Sequence, residues 1–286
     1  MVEESQNKTI SPEALLEALR PIIAMHSVAG DAEGNRGAIA FLQRRLTAIG
    51  FDIEVAGAGK IEQPVIMAHR AASGGTGKLL IYGHYDVVPA DDYDAWQSKD
   101  PFVPEIIAGR IYARGIADNK GTLMTRILAL RKLVENGANL PEIFWLIHGS
   151  EEATSPCAVT RKIFAQQLGS YRADLYLEET GFNDIASGES ILLLWQPSND
   201  PVASSEAEKL LKLTRCDRVE QRHLNKLNGG QDCPFLQALP ADATYVGFGP
   251  NDRYHRIHAH DESLDLCRLC EHYLKFKNFI RDYAHT

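Results

Sequence analysis

The stretch that decides the fold is IYGHYDVVPADDYDAWQSKDPFVPEIIAGRIYARGIADNKG, residues 81–121. It places His84 at the end of a predicted strand and Asp86 two positions later. Because strand side chains alternate between faces, these two point the same way if the extended backbone continues. A carboxylate so placed can hold one imidazole nitrogen while the other binds a metal. For an isolated His-x-Asp motif, the alternative to a metal ligand is a histidine that only packs at the end of a strand.

Two later strands end in the same manner. The apolar run 142–147 leads into Glu151 and Glu152, and the run 173–177 leads into Glu178. In an open α/β sheet, sites form at the carboxyl ends of the strands. This repetition favours a functional site over packing.

The remaining pattern alternates strands with helices, as a layered α/β fold requires. We predict a surface loop at 73–77 and a short hairpin within 106–112. Helices are predicted at about 12–23, 34–49, 123–134, 205–213 and 263–283, and further strands at 51–55, 64–68, 78–83, 190–195 and 243–247.

The composition limits the class of protein. The chain has 286 residues, of which 24% are charged, and a formal net charge of −8. This acidic balance argues against nucleic-acid binding, which usually needs a basic face. No run has the length of a signal peptide or of a membrane span. Five scattered cysteines favour reduced thiols, so we predict a cytoplasmic protein that contacts no membrane.

Histidines and carboxylates are the usual ligands of zinc in hydrolases. A pair of zinc ions needs one bridging carboxylate and a balanced set of ligands on each side. Glu151 is then left free to take a proton from water. The candidate ligands are His84, Asp118, Glu152, Glu178 and His258.

With these residues in view, the chain resembles the dizinc peptidase and deacylase family that includes glutamate carboxypeptidase, succinyl-diaminopimelate desuccinylase, acetylornithine deacetylase, aminoacylase and the cytosolic dipeptidases. The matching segments keep the family's order over most of the chain. They are GHYDVVP (83–89), DPF (100–102), GRIYARG (109–115), DNKG (118–121), Glu151-Glu152, Glu178, GGQD (229–232) and His258 to Glu262.

The resemblance implies a three-layer α/β/α zinc-exopeptidase-like catalytic domain with a central mixed twisted sheet. It further implies two Zn²⁺ ions, with Co²⁺ or Mn²⁺ as substitutes. Asp118 would bridge them, His84 and Glu178 would hold one ion, and Glu152 and His258 would hold the other.

Further roles follow from the same resemblance. Glu151 would be the general base, and Asp86 would orient the neighbouring histidine ligand. The peptide bond between Asp118 and Asn119 would be cis. Glu179, adjacent to the predicted ligand Glu178, is the alternative ligand.

The chain departs from the family in one respect. Relatives carry a second domain, a lid that mediates dimerisation and contributes an oxyanion-stabilising histidine, after the third carboxylate ligand. The interval 180–257 is too short for it, so we expect the lid to be missing around 187–198, leaving residues 1–286 as a single, monomeric catalytic domain.

Two functions therefore remain open. The first is a hydrolase of the carboxypeptidase, dipeptidase or deacylase type, which cleaves an amide bond in a small peptide or N-acyl amino acid. The alternative is a lidless binding or regulatory module that keeps the metal site with little or no activity. Arg253 and Arg256 would either hold a substrate carboxylate or be solvated.

Overall fold

The computed structural model describes residues 9–153, 157–178, 181–184, 186–196, 203–223 and 233–286. The strands are β1 (Asp52–Ala56), β2 (Val65–Arg70), β3 (Gly74–His84), β4 (Glu105–Ile107), β5 (Arg110–Tyr112), β6 (Leu140–His148), β7 (Leu175–Leu177), β8 (Ile191–Gln196), β9 (Arg218–His223), β10 (Tyr245–Gly247) and β11 (Ser263–Asp265). The helices are α1 (Pro12–Ile23), α2 (Ala32–Thr47), α3 (Lys120–Glu135), α4 (Ala158–Ser170), α5 (Ser204–Thr214), α6 (Pro234–Ala238) and α7 (Leu266–Tyr283).

The central sheet has eight strands in the order β1-β2-β6-β3-β7-β10-β8-β9. Its middle four strands, β6, β3, β7 and β10, run parallel to one another. Strand β2 pairs antiparallel with β1 and β6, and β8 pairs antiparallel with β10 but parallel with β9, so the sheet is mixed, as predicted. The carboxyl ends of the four parallel strands therefore meet at one edge, where binding sites form in sheets of this kind.

The sheet is covered on both faces. Along β3, Leu79 and Ile81 face one hydrophobic cluster and Leu80 and Tyr82 face the other, as the period of two requires. Side chains of α1, α2, α3, α5 and α7 contribute to the first cluster, and those of α4 and α6 to the second. The predicted three-layer α/β/α architecture is confirmed.

Helix α1 begins as its sequence predicts. The Ser11 hydroxyl accepts the N–H of Ala14 at 3.2 Å, and Pro12 occupies the first helical position. The buried side chains recur with helical spacing and face the sheet: Leu15, Leu19, Ile22 and Ile23.

A second, three-stranded sheet has the order β11-β5-β4. The pair β4 and β5 is the predicted hairpin, and it turns at Ala108 and Gly109, which both have positive φ. Beyond β5, the backbone N–H of Ala113 donates to the carbonyl of Glu262 at 3.1 Å. This small sheet therefore connects the segment before α3 to the segment before α7.

Two local predictions were wrong. Residues 73–77, predicted as a loop, largely belong to β3, because Ser73 pairs with Leu140 and the N–H of Thr76 donates to the carbonyl of Ala284. Strand β9 was not predicted at all. It lies at the sheet edge and has no alternating apolar pattern, because it packs less of its surface than a central strand does.

The interval expected to lack the lid, 187–198, contains β8, which lies within the central sheet. The next described elements, α5 and β9, pack on β8 and pair with it, respectively. Residues 197–202 lie outside the described part of the chain, so the position of the missing lid stays a prediction. No helix among the described residues combines the length and apolar character needed to cross a bilayer.

Candidate metal centre

Asp118 lies between two imidazoles. Strand β3 delivers His84, whose Nε2 is 2.9 Å from Asp118 Oδ1, and the loop before β11 delivers His258, whose Nε2 is 3.4 Å from Asp118 Oδ2. Each carboxylate oxygen thus faces a different histidine, which is the disposition of a bridging ligand. The peptide bond from Asp118 to Asn119 is cis, as predicted.

The end of β6 completes the cluster. Glu152 Oε2 lies 2.8 Å from His258 Nε2. Among the described residues there are two groups of three side chains, and within each group the potential ligand atoms all lie within 4.8 Å of one another. One comprises His84, Glu151 and Glu152, and the other Asp118, Glu152 and His258. The structure therefore brings together four predicted ligands and the predicted base.

Asp86 connects the ends of β3 and β6. Nδ1 of His84, the ring nitrogen that faces away from Asp118, lies 3.1 Å from the backbone carbonyl oxygen of Asp86 and 3.3 Å from its Oδ1. The same carboxylate accepts the backbone N–H of Glu151 at 3.2 Å and that of Glu152 at 3.0 Å. Asp86 is only 2% exposed. It thus positions a histidine and the Glu-Glu pair together, and the second of these contacts was not anticipated.

A further anchoring residue, Glu262, was not assigned a role from the sequence. Its carboxylate accepts hydrogen bonds from Arg114 Nη1 at 2.8 Å and from the backbone N–H groups of Gly115, Ala117 and Asp118 at 2.9, 2.8 and 3.0 Å. These contacts fix the turn that presents Asp118. The available signal was its place at the end of the His258 motif.

Glu178 belongs to neither group of potential ligands found among the described residues. It follows β7, and its side chain reaches across Gly247 on β10 to Trp195 on β8, whose Nε1–H donates to Oε2 at 2.6 Å. Its Oε1 has no hydrogen-bond partner among the described residues. Its assignment as a ligand stays a prediction, and the alternative, Glu179, lies outside the described residues.

The path of the Glu178 side chain over β10 requires glycine at position 247. A Cβ added there would lie 2.0 Å from Glu178 Oε1, so Gly247→Ala must displace that carboxylate. We expect the variant to lose about 1–3 kcal/mol of unfolding free energy through overpacking. Urea denaturation measures the loss.

Gly169→Ala, at a helical position with open space around it, is the matched control and should gain about 0.4–1 kcal/mol. Equal stability of the two alanine variants would show that Glu178 does not occupy the space above Gly247.

The electrostatics of the cluster favour a cation. Hydrogen bonds to Asp118 and Glu152 raise the pKa of His258 to about 10. Burial opposes ionisation of Asp118, but hydrogen bonds from both histidines outweigh it and lower its pKa. Burial raises the pKa of Glu151 to about 7. The carboxylates of Asp118 and Glu152 thus hold a proton on His258, which a divalent cation would displace on binding.

The side chains flanking His258 have local partners. His255 accepts the N–H of Ile257 at Nδ1, and the guanidinium of Arg256 lies 2.8 Å from His260 Nε2. Arg253 stacks over the ring of Tyr254 at 4.6 Å. Neither His255 nor His260 belongs to the candidate metal groups of the described residues.

Sequence comparison finds relatives among curated enzymes. A succinyl-diaminopimelate desuccinylase from Cupriavidus taiwanensis is 34% identical over 220 residues, which are 74% of this chain and 55% of that protein. Human Beta-Ala-His dipeptidase is 40% identical over 93 residues, which are 32% of this chain and 18% of that protein. The matched part of this chain thus spans about half the length of the first relative and less of the second.

Solved structures show the same fold. Human carnosine dipeptidase 1 superposes with a TM-score of 0.69 at 12% identity, covering 99% of this chain and 98% of that chain. An M20 family metallo-carboxypeptidase from Sulfolobus solfataricus gives 0.68 at 15% identity, covering 94% and 99%.

The family assignment follows from the sequence itself. Residues 80–282 match the profile of Peptidase family M20/M25/M40. This range contains every residue predicted for the site and the carboxyl ends of the parallel strands that present them. The resemblance stated from the motifs is confirmed: the chain belongs to Peptidase family M20/M25/M40.

Proposed function

We propose that this chain is a metal-dependent hydrolase that cleaves an amide bond in a small peptide or N-acyl amino acid. The observation that carries the proposal is Asp118, with one carboxylate oxygen toward each of two imidazoles and the Glu151–Glu152 pair beside it. The desuccinylase and dipeptidase names of the relatives agree with this substrate class.

The residues present fit a pair of divalent ions. Imidazoles and carboxylates form the mixed nitrogen and oxygen donor set that zinc accepts. The buried, unpartnered Oε1 of Glu178 is a further donor among the described residues. We propose two Zn²⁺, with Co²⁺ or Mn²⁺ as substitutes, held by His84, Asp118, Glu152, Glu178 and His258.

Bound ions would supply Lewis-acid polarisation of the substrate carbonyl and would lower the pKa of water. Glu151 would take the proton of the attacking water as a general base. As the carbon–nitrogen bond breaks, Glu151 would return that proton to the leaving amine nitrogen. Asp86 orients His84 and holds the Glu151 backbone, which keeps the base in a fixed position.

The alternative is a binding or regulatory module with little or no turnover. It is favoured by the openness of the site: the His258 side chain is 53% exposed. Oxyanion stabilisers of the kind that relatives carry in the lid are worth roughly a hundred- to a thousandfold in rate. Binding of substrate without its cleavage would be the mark of this alternative.

A panel of dipeptides and N-acyl amino acids, assayed with added zinc, cobalt or manganese, tests the proposal. Metal analysis of the same samples shows whether the ions are bound. We expect metal uptake and metal-dependent hydrolysis of at least one class. Metal uptake without hydrolysis would favour the binding module, and a chain that takes up no metal would refute the proposed site.

We also propose that the chain works as a cytoplasmic monomer that contacts neither nucleic acid nor membrane. The net charge of −8 opposes self-association. Light scattering should give a mass near 31.7 kDa. A mass of twice that value, unchanged on dilution, would contradict the prediction.

A further inference from the structure

Trp195 is a buried tryptophan packed between two neighbouring strands of the central sheet. It lies on β8, where its cross-strand partners are Tyr245 of β10 and Arg222 of β9. The guanidinium carbon of Arg222 lies 5.7 Å from the centre of the indole ring, and Glu220 accepts a hydrogen bond from that arginine at 2.6 Å. The ring is 4% exposed. Burial and these neighbours therefore restrict the orientation of the indole ring.

The indole N–H of Trp195 donates to the buried carboxylate of Glu178. Glu178 is 7% exposed, and its backbone N–H donates to the carbonyl of Val246 at 2.8 Å. Its side chain fills the space that Gly247 leaves open and ends at Trp195 Nε1. A hydrogen bond of 2.6 Å to an ionisable acceptor belongs to the stronger class.

The other oxygen, Oε1, is buried without a partner among the described residues. Buried polar atoms are nearly always satisfied in native proteins, and binding of an ion is one explanation of an exception. Carboxylate ligands of metals usually carry a hydrogen bond on their free oxygen, which sets their orientation. Glu178 has that arrangement, with the indole on one oxygen and a vacant lone pair on the other.

We propose that Trp195 is a positioning residue for the metal centre: its indole N–H holds Oε2 of Glu178 so that Oε1 is directed to one of the two ions. The inference rests on the proposed function, since it assumes that the site binds metal. It concerns only the ion on the Glu178 side. The affinity for the ion held by Glu152 and His258 should not change when Trp195 is replaced.

If Trp195 had the opposite role, its replacement would change the metal affinity in the opposite direction. If the indole instead kept the carboxylate away from the metal, the two would compete for Glu178. Removing the N–H would then tighten metal binding, whereas the proposal requires that it weaken. The direction of the change in affinity therefore decides between positioning and competition.

The test is zinc titration of the full chain against a chromophoric chelator, comparing Trp195→Phe with Trp145→Phe. Trp145 is the matched control, because it is a buried tryptophan of the same sheet whose Nε1 has no hydrogen-bond partner in the part of the chain that the structure describes. We expect Trp195→Phe to weaken one of the two zinc equivalents by about 10- to 100-fold and to leave the other unchanged. Trp145→Phe should leave both unchanged.

A double substitution checks that the effect passes through Glu178. In a Glu178→Ala background, Trp195→Phe should weaken zinc binding no further. Cobalt titration followed by tryptophan fluorescence tests separately whether Trp195 lies near the bound metal, because Co²⁺ quenches a nearby indole. The quenching should fall in Trp195→Phe and persist in Trp145→Phe.

The results distinguish a failure of this inference from a failure of the proposed function. Uptake of two zinc equivalents with equal affinity in both phenylalanine variants would overturn the role of Trp195 and leave the metal site standing. Tighter binding in Trp195→Phe would overturn it in favour of competition. A wild-type chain that binds no zinc would instead refute the proposed function.

Discussion

Replacing Glu151 with Gln is expected to lower kcat by about a hundred- to ten-thousandfold, the range for loss of a general acid–base group. Gln has nearly the same shape, so the backbone N–H of residue 151 should keep its bond to Asp86. The side chain can no longer take a proton from water. Steady-state kinetics on the best substrate of the panel measures the loss.

Metal content separates the role of a base from that of a ligand. Glu151 lies within 4.8 Å of ligand atoms on His84 and Glu152, so geometry alone allows either role. We expect Glu151→Gln to retain both zinc equivalents and the matched Glu152→Gln to lose one. Loss of zinc from Glu151→Gln, with retention in Glu152→Gln, would show that the two roles are exchanged.

Removing the Glu262 carboxylate should produce the largest loss of stability. It is 1% exposed and pairs with Arg114, which is 3% exposed. Breaking a buried pair by removing one partner leaves an uncompensated charge and typically costs about 3–5 kcal/mol. Here the backbone N–H groups of Gly115, Ala117 and Asp118 lose their acceptor as well. Urea unfolding of Glu262→Ala, with chelator present so that metal does not contribute, measures the change.

The control for this variant is Asp242→Ala. Asp242 pairs with Arg172 at 3.1 Å, but both side chains are largely exposed, at 82% and 63%. Exposed pairs contribute about 0–1 kcal/mol, so the control should stay close to wild type. If Glu262→Ala were equally stable, the Arg114 pair would not anchor the Asp118 turn.

The sequence predicts the site best where a strand determines the direction of a side chain. His84, Glu151 and Glu152 follow strands with continuous apolar runs, and the parallel order of those strands brings their ends together. His258 comes from a loop, where no periodicity exists, and only the family motif indicated it.

Other features depend on contacts that no local pattern reveals. Glu262 acts through backbone N–H groups more than a hundred residues away in sequence. Trp195 meets Glu178 because β10, which follows both in the chain, lies between β7 and β8 in the sheet. Strand β9 was missed because an edge strand can be polar throughout.

The double role of Asp86 limits how this centre can change. One aspartate contacts the imidazole of His84 at the end of β3 and accepts the backbone N–H groups of two glutamates in the turn after β6. The two segments therefore cannot be exchanged independently between relatives, even though more than sixty residues separate them in sequence. A chimera that takes the 84–86 segment from one homologue and the 151–152 turn from another would inherit two halves of one hydrogen-bonded unit. Substitutions within it should be strongly non-additive, so the unit is best transplanted or redesigned whole.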